Sequence, residues 1–380
     1  MKLTGTFIEH FTDIEDPRIH NHNYRHKLSD IFVITILATI CGADGWVEIE
    51  RFGLAKEEWF SSFLELPNGI PSHDTFGRIF SLLNPKLFED SFISWIRSLS
   101  MDMTREIIAL DGKSVRGSGS KVNNTAALHL VSAWASKNRM MLGQVKTADH
   151  SNEITAIPKL LDLIDVKGGI VTIDAMGCQT KIAKKIISQG ADYVLSLKDN
   201  QPTLHEDVAA IFAKAETIQY KKILHRRKIE KIRDHGRIEK RRYTLLSARD
   251  PLLFELRWPG LRGLGKIEIT RTINKQITRS TRYFISSLQY EDIDDFMRAV
   301  RQHWNIEINL HWSLDVSFKE DHCQINNGHA PENLALIRRI ALNLLKQEKT
   351  LKNGITCKRK NAGWDHKYLL KVLQADSHLK

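Results

Sequence analysis

The chain has 380 residues, an apolar fraction of 42% and a formal net charge of +11 at neutral pH. This length allows two or three domains with ample cores, and the positive charge favours a polyanionic partner, either a nucleic acid or an anionic membrane surface. The longest apolar stretch is too short to span a bilayer, which requires roughly 20 apolar residues, and the first residues lack a signal-peptide core. The four cysteines form no CxxC pair, so we expect free thiols, no zinc ribbon, no membrane insertion and a cytoplasmic location.

Residues 1–100 are predicted to be helical. Ser29 is a candidate N-cap for a helix through Leu37, and a second helix fits Val47 to Phe63. A further helix is predicted after Ser72, which is a good N-cap residue. Short helices joined by tight turns are compatible with a DNA-binding region of helix-turn-helix type, and a helical cap on the main domain explains the spacing equally well.

From residue 105 the hydrophobic period changes, and residues 101–204 are predicted to form a mixed α/β sheet. Two segments between the strands, 154–164 and 180–189, have helical periodicity. The predicted strands are Ile107–Leu110, Leu128–Ala135, Met140–Thr147, Ile170–Asp174 and Tyr193–Leu197. The succession is a three-stranded meander followed by helix, strand, helix and strand.

Residues 205–290 are predicted to be a β-rich, basic insertion. The segment from Lys221 to Arg242 contains eleven basic and three acidic residues, a net charge of +8. Two alternating runs, 266–273 and 281–285, are typical of half-exposed antiparallel strands.

Residues 291–350 are predicted to return to helix. Glu307 lies on the first helix of this part, and a last amphipathic helix begins near Pro331 with Arg338, Arg339 and Lys346 expected to face outward. Residues 351–380 are expected to be a loose basic tail.

Three carboxylates carry the chemistry that the sequence predicts. Asp111 and Asp174 each end a buried strand, and Glu307 lies on a helix between His303 and His311. Carboxylate oxygens are the ligands that Mg²⁺ prefers, and two such ions activate and stabilise the oxygens of a phosphodiester. An alternative is that each aspartate caps a turn and that the glutamate is solvated. His303 and His311 could also bind zinc, but the sequence around them has no HExxH pattern.

Candidate contacts to DNA surround these carboxylates and follow the basic run. Lys113 and Arg116 come just after Asp111 and are expected to meet phosphate at the metal site. Trp304 is expected to stack on bases or to pack in the core, and the basic run is also compatible with a solvated face. The predicted DNA-binding residues are Lys113, Arg116, Lys198, Arg226, Arg227, Lys228, Arg241, Arg242, Arg301, His303, Trp304, His311 and Lys319.

Three strings of residues resemble a known family. They are ALDGKSVRG at 109–117, TIDAMGCQ at 172–179 and HWNIEINLHW at 303–312. On these strings the chain resembles the DDE transposases of bacterial insertion sequences, and is most similar to the H-repeat-associated proteins found beside Rhs elements. Relatives that carry Tyr, Arg and Lys around the glutamate differ from this chain, which has Val300, His303 and Leu314 there.

The resemblance implies an RNase H-like mixed sheet with flanking helices, a β-rich insertion and an N-terminal helical domain associated with DNA binding. It implies Asp111, Asp174 and Glu307 as the catalytic, metal-binding triad, with Mg²⁺ (or Mn²⁺) as cofactor. The expected activity is cleavage and strand transfer at the ends of an insertion sequence, acting on double-stranded DNA as a DNA-bound homodimer. A catalytically inactive DNA-binding relative and a metal-dependent nuclease are the alternatives.

Overall fold

The computed structural model describes residues 6–11, 13–18, 25–119, 126–148, 152–198, 200–234, 236–248 and 258–375. The N-terminal helices are α1 (Thr6–Glu9), α2 (Leu28–Ile40), α3 (Trp46–Ala55), α4 (Glu57–Ser61), α5 (His73–Leu82) and α6 (Pro85–Ser98). Helix α5 is capped as predicted, because Ser72 accepts a hydrogen bond from the backbone N–H of Thr75. The predicted cap at Ser29 is wrong, since α2 already begins at Leu28. The predicted 47–63 helix is interrupted at Lys56.

Residues 101–204 have the predicted order of elements. They comprise β1 (Ile107–Val115), β2 (Leu128–Ala135), β3 (Met140–Lys146), α7 (Glu153–Leu163), β4 (Ile170–Ile173), α8 (Thr180–Ser188) and β5 (Asp192–Leu197). Strand β1 is antiparallel to β2 and parallel to β4, which is parallel to β5. The predicted fold class, a mixed α/β sheet with flanking helices, is therefore confirmed.

The insertion extends this sheet and does not form a separate one. Its elements are α9 (Pro202–Thr217), β6 (His225–Asp234), β7 (Arg237–Ser247), β8 (Gly263–Ile273) and β9 (Gln276–Ser286). Strand β9 pairs with β5, so the described strands form one sheet in the order β3-β2-β1-β4-β5-β9-β8-β7-β6. The basic run lies mainly on β6 and the first half of β7, which the sequence pattern had not identified as strands.

Helices cover both faces of the sheet. On one face α10 (Ile293–His303) packs its Phe296 into a cluster with Ile107, Ile170 and Tyr243. On the other face, α8 and α9 contribute Ile182 and Phe212 to the main core. After α10 the chain continues through a π-helical segment, Glu307–His311, into α11 (Trp312–Ser317).

Helix α12 (Ala330–Gln347) is buried along most of its length, because it packs against α2, α5 and β3. The prediction that its cations face outward is wrong. Arg339 is fully buried and pairs with the equally buried Glu320 at 2.7 Å, and Arg338 and Lys346 are also buried. One apolar stripe along a helix predicts that only one of its faces is buried. Helix α12 is buried on more than one face, because it lies between helices α2 and α5 and strand β3.

The described C-terminal segment ends at Ala375 and contains two helices. It forms α13 (Ile355–Trp364) and α14 (His366–Leu373). Arg359 is buried, donates hydrogen bonds to the backbone oxygens of Thr39 and Ala43 and lies 3.1 Å from the Asp44 carboxylate. The expected loose tail is therefore wrong for these residues, and 376–380 lie outside the described part. Among the described helices, none is long and apolar enough to cross a bilayer.

Candidate active site

Strand register places the two aspartates side by side. Leu110 of β1 is the partner of Ile173 of parallel β4, so Asp111, which follows Leu110, lies beside Asp174, which follows the last residue of β4. Strand β1 continues past Asp111 to Val115, so the prediction that Asp111 ends its strand is wrong. Asp174 also caps its turn, since Oδ1 accepts the backbone N–H groups of Met176 at 3.0 Å and Gly177 at 3.4 Å.

The glutamate reaches the same edge from the helical layer. Glu307 begins the π-helical segment, a widened turn of a kind that is frequent at functional sites. His311 Nδ1 lies 3.3 Å from Glu307 Oε2 and 3.8 Å from Asp111 Oδ2. One ligand atom from each of Asp111, Glu307 and His311 lies within 4.8 Å of the other two. Two carboxylates and an imidazole therefore converge on one point.

The electrostatics of this group suit a bound cation. Burial, followed by the adjoining Glu307 carboxylate, raises the pKa of Asp111 to about 8. The pKa of Glu307 is lowered, mainly by the hydrogen bond between its carboxylate and His311. The buried Nε2 of His311 has no hydrogen-bond partner among the described residues. Two carboxylates this close resist a second negative charge, and a divalent ion relieves that repulsion, so the residues present fit such an ion.

A cavity of about 240 Å³ brings the third carboxylate to this group. Asp111, Asp174 and Glu307 all line it, although Asp174 is outside the tight group of ligand atoms. Its remaining polar lining consists of Thr172, Ser196, Lys198, Arg282, His303 and Trp304. The three predicted metal ligands therefore line one opening, on the face of the sheet that α10 covers.

Three predicted DNA contacts lie at this cavity. Lys198 is exposed there. His303 Nδ1 lies 3.1 Å from the hydroxyl of Thr172, and burial lowers the pKa of the His303 imidazole. Trp304 is 50% exposed, with the guanidinium of Arg282 5.9 Å from its ring centre. The sequence analysis did not identify Arg282 as a site residue. The alternation of residues 281–285 does indicate that Arg282 and Phe284 point to the same face of their strand.

Other predicted contacts are engaged within the protein. Lys113 is buried, and its Nζ lies 2.8 Å from Asp315 and 2.7 Å from Asp321. It is therefore not free to meet phosphate at the metal site, which corrects the expectation. His311 is buried beside the carboxylates and faces them, so it too is withdrawn from a DNA surface.

Exposed cations among the predicted contacts lie on several surfaces. Arg116 is 84% exposed in its side chain, and the exposed Lys319 lies 3.2 Å from Asp44. The remaining cations form these contacts: Arg301 with Glu230, Lys228 with Asp294, Arg241 with Glu239, Arg242 with Glu268, and Arg227 over the ring of Tyr220; the structure describes Arg226 as exposed. None of the insertion cations predicted from sequence lines the cavity within the described residues.

Comparison with known families agrees with this geometry. Residues 102–344 match the family described as "Transposase DDE domain", and residues 8–96 match "DDE_Tnp_1-associated". The chain belongs to the DDE transposase family. Membership of this family implies the use of a divalent metal.

Relatives of this transposase cover most of its length. "H repeat-associated putative transposase YhhI" of Escherichia coli K12 is 39% identical over 96% of this chain and 97% of that protein. "Putative transposase YncI" of Escherichia coli O157:H7 is 41% identical over 93% and 91% of the two chains. A solved piggyBac transposase synaptic complex with hairpin DNA has a TM-score of 0.42 and 10% identity, covering 95% of this chain and 76% of that one.

Proposed function

We propose that this transposase cleaves DNA strands at the ends of its element and joins the freed 3′-hydroxyl to target DNA. The observation that supports this most directly is the cavity shared by Asp111, Asp174 and Glu307. Family membership alone does not separate an active enzyme from an inactive one. The convergence of acidic ligands from a strand and a helix remote in sequence is what active phosphodiester chemistry requires.

Asp111 and Glu307 would hold a divalent ion, Mg²⁺ or Mn²⁺, with His311 as a third ligand and Asp174 completing the site from β4. When bound, such an ion polarises the phosphate and generates a nucleophilic oxygen at neutral pH. Carboxylate oxygens suit both Mg²⁺ and Mn²⁺. Lys198 and Arg282 at the cavity would pair with the non-bridging phosphate oxygens and orient the scissile strand.

The same proposal extends to partners and domains. Residues 101–204 and 291–350 would carry out the reaction, while residues 1–100 and 205–290 would hold double-stranded DNA. A homodimer on DNA would cut two element ends together.

The decisive experiment uses a supercoiled plasmid carrying the inverted repeats that flank the coding sequence. Purified protein with Mg²⁺ or Mn²⁺ should nick at the repeat ends and yield joined products. Asp111→Asn should remove both activities, whereas Asp162→Asn, which changes an exposed carboxylate paired with Lys185, should not. Nicking without joining would indicate a nuclease, and equal DNA binding without nicking by either protein would indicate an inactive binder.

A further inference from the structure

The arm formed by β6–β9 has two sides that the strand register separates. Pairing across the four strands is in continuous register, and side chains alternate between the faces of a strand. Lys266, which pairs with Glu216 of α9, marks one face, and we name it the α9 side. Tyr243, which packs in the cluster of Phe296 from α10, marks the other, the α10 side. Each cation of the arm can therefore be assigned to a face.

Cations on the α10 side are largely neutralised. Glu239 is buried and pairs with both Arg241, at 2.5 Å, and Arg271, at 3.0 Å. Lys228 pairs with Asp294 of α10, and Glu230 pairs with Arg301. These charges serve contacts within the protein, and the catalytic cavity opens on this same side.

The α9 side is different, because several of its exposed cations have no carboxylate partner among the described residues. The outward-facing cations there are Arg227, Lys231, Arg233, Lys240, Arg242 and Arg279. On the β6–β9 strands of this face, Glu268 is the one carboxylate that the structure describes, and it lies 3.3 Å from Arg242. Lys231, Lys240 and Arg279 form no ion pair with any described residue. The face therefore presents an unbalanced positive charge.

One row of this face is unfavourable by itself. Lys231 lies directly opposite Lys240, and Thr270 and Arg279 continue the same row across β8 and β9. Like charges directly opposite on neighbouring strands destabilise a sheet. An arrangement that costs stability in the free protein is relieved when a polyanion covers it.

A depression lies on the α9 side over β7, β8 and β9. Its volume is about 290 Å³, and its lining residues are Lys240, Arg242, Glu268, Ile269, Thr270, Arg279, Ser280 and Thr281. The exposed cations Lys240 and Arg279, with the hydroxyls of Thr270 and Thr281 on the same face, match the groups that bind DNA phosphate oxygens.

We propose that the α9 side of the arm binds the phosphate backbone of duplex DNA, with this depression at its centre. This proposal rests on the proposed function and adds to it the place where the protein holds duplex DNA. Because the depression and the catalytic cavity open on opposite sides of one sheet, the duplex bound here is a stretch other than the one being cleaved. It would hold DNA without reading its sequence, since phosphate contacts carry no base information.

The test compares two double variants that lose the same charge. Binding of a fluorescent duplex is measured by anisotropy over a range of KCl concentrations, in the Asp111→Asn background so that no cleavage occurs. Lys240→Ala with Arg279→Ala should reduce the slope of log affinity against log salt by about 1.8, that is about 0.9 for each lost contact. Arg226→Ala with Lys228→Ala, on the α10 side, should leave the slope near that of the parent, contrary to the sequence prediction that these two residues bind DNA. Thermal melts check that both variants fold.

If the slope falls equally in both double variants, the effect comes from net charge alone and the proposal is overturned. An unchanged slope in both variants would also overturn it. Binding of phosphatidylglycerol vesicles that depends on Lys240 and Arg279, with DNA binding unaffected, would identify an anionic bilayer as the ligand and also overturn it. The measurement needs no catalysis. If the protein does not nick DNA, the proposed function is refuted but the binding result stands. If the salt slope does not depend on Lys240 and Arg279, the binding proposal is refuted but the proposed function stands.

Discussion

The Nζ of Lys113 lies 2.8 Å from Oδ1 of Asp315. This contact joins β1, two residues after Asp111, to α11, which begins directly after His311. The same ammonium lies 2.7 Å from Asp321. The strand and the helix that supply metal ligands are therefore held together by a buried cation outside the catalytic cavity.

Lys113→Met should destabilise the protein by about 3–5 kcal/mol, because it removes the charge that compensates a cluster of poorly solvated carboxylates. Urea unfolding measures this directly. Mn²⁺ binding, followed by calorimetry on the folded variant, should weaken in parallel as α11 loosens from β1. Arg116→Met is the matched control: its side chain is 84% exposed, and the cost should stay within about 0.5 kcal/mol. Similar costs for the two variants would contradict the structural role of Lys113.

The raised pKa of Asp111 predicts a pH-dependent stability of the metal-free protein. The carboxyl ionises near its usual pKa of about 4 in the unfolded chain and at about 8 in the folded protein. Between these values the folded state binds the extra proton, so the free energy of unfolding should fall as pH rises from about 4 to about 8. Melting temperatures across this range in EDTA should show the decline, and Asp111→Asn should flatten it.

Metal should reverse the trend, because a bound divalent ion favours the ionised carboxylate. The stabilisation by Mn²⁺ should therefore grow with pH over the same range and should be small for Asp111→Asn. A wild-type profile with no slope in EDTA, or an equal slope in the variant, would show that Asp111 ionises freely.

The sequence was sufficient to locate the aspartates because their signals are local. Short apolar runs, Ile107–Leu110 before Asp111 and Ile170–Ile173 with one threonine before Asp174, were enough to place both residues beside buried strands. The end of the first strand was predicted too early, because β1 continues to Val115. Glu307 was found from its family string, but the widened turn that brings His311 to the same point has no period-based signal.

The buried charges could not be predicted in this way. Lys113 meets Asp321 across 208 residues, and Arg339 is enclosed by layers from both ends of the chain. Charged residues are mostly exposed, so a single sequence predicts an outward direction for them unless the distant partner is known. For the same reason, the sequence analysis predicted a loose tail where the structure has α13 and α14. The contact that holds this segment, from Arg359 to the backbone oxygen of Thr39, joins residues far apart in the sequence.

Gly117 allows the turn after β1 to approach the segment that holds Lys113. A Cβ there would lie 2.3 Å from the carbonyl oxygen of Cys323 and 2.9 Å from that of Asp321. Backbone atoms cannot rotate away, so Gly117→Ala should cost about 1–3 kcal/mol by overpacking. Gly354→Ala, where a Cβ meets nothing within 4 Å, should change the free energy of unfolding by less than about 1 kcal/mol. Equal effects in urea unfolding would show that the turn can relax.

Trp304 gives a prediction about the form of DNA that enters the cavity. Its ring is 50% exposed at the cavity and already lies near the guanidinium of Arg282. Stacking of an unpaired base on this ring contributes about 1–3 kcal/mol. Trp304→Ala should therefore weaken binding of a duplex with unpaired bases at its end more than binding of a fully paired duplex. Trp364→Ala, which removes an exposed indole from α13, should weaken neither. Equal losses for the two DNAs would mean that Trp304 packs against the protein and does not stack on a base.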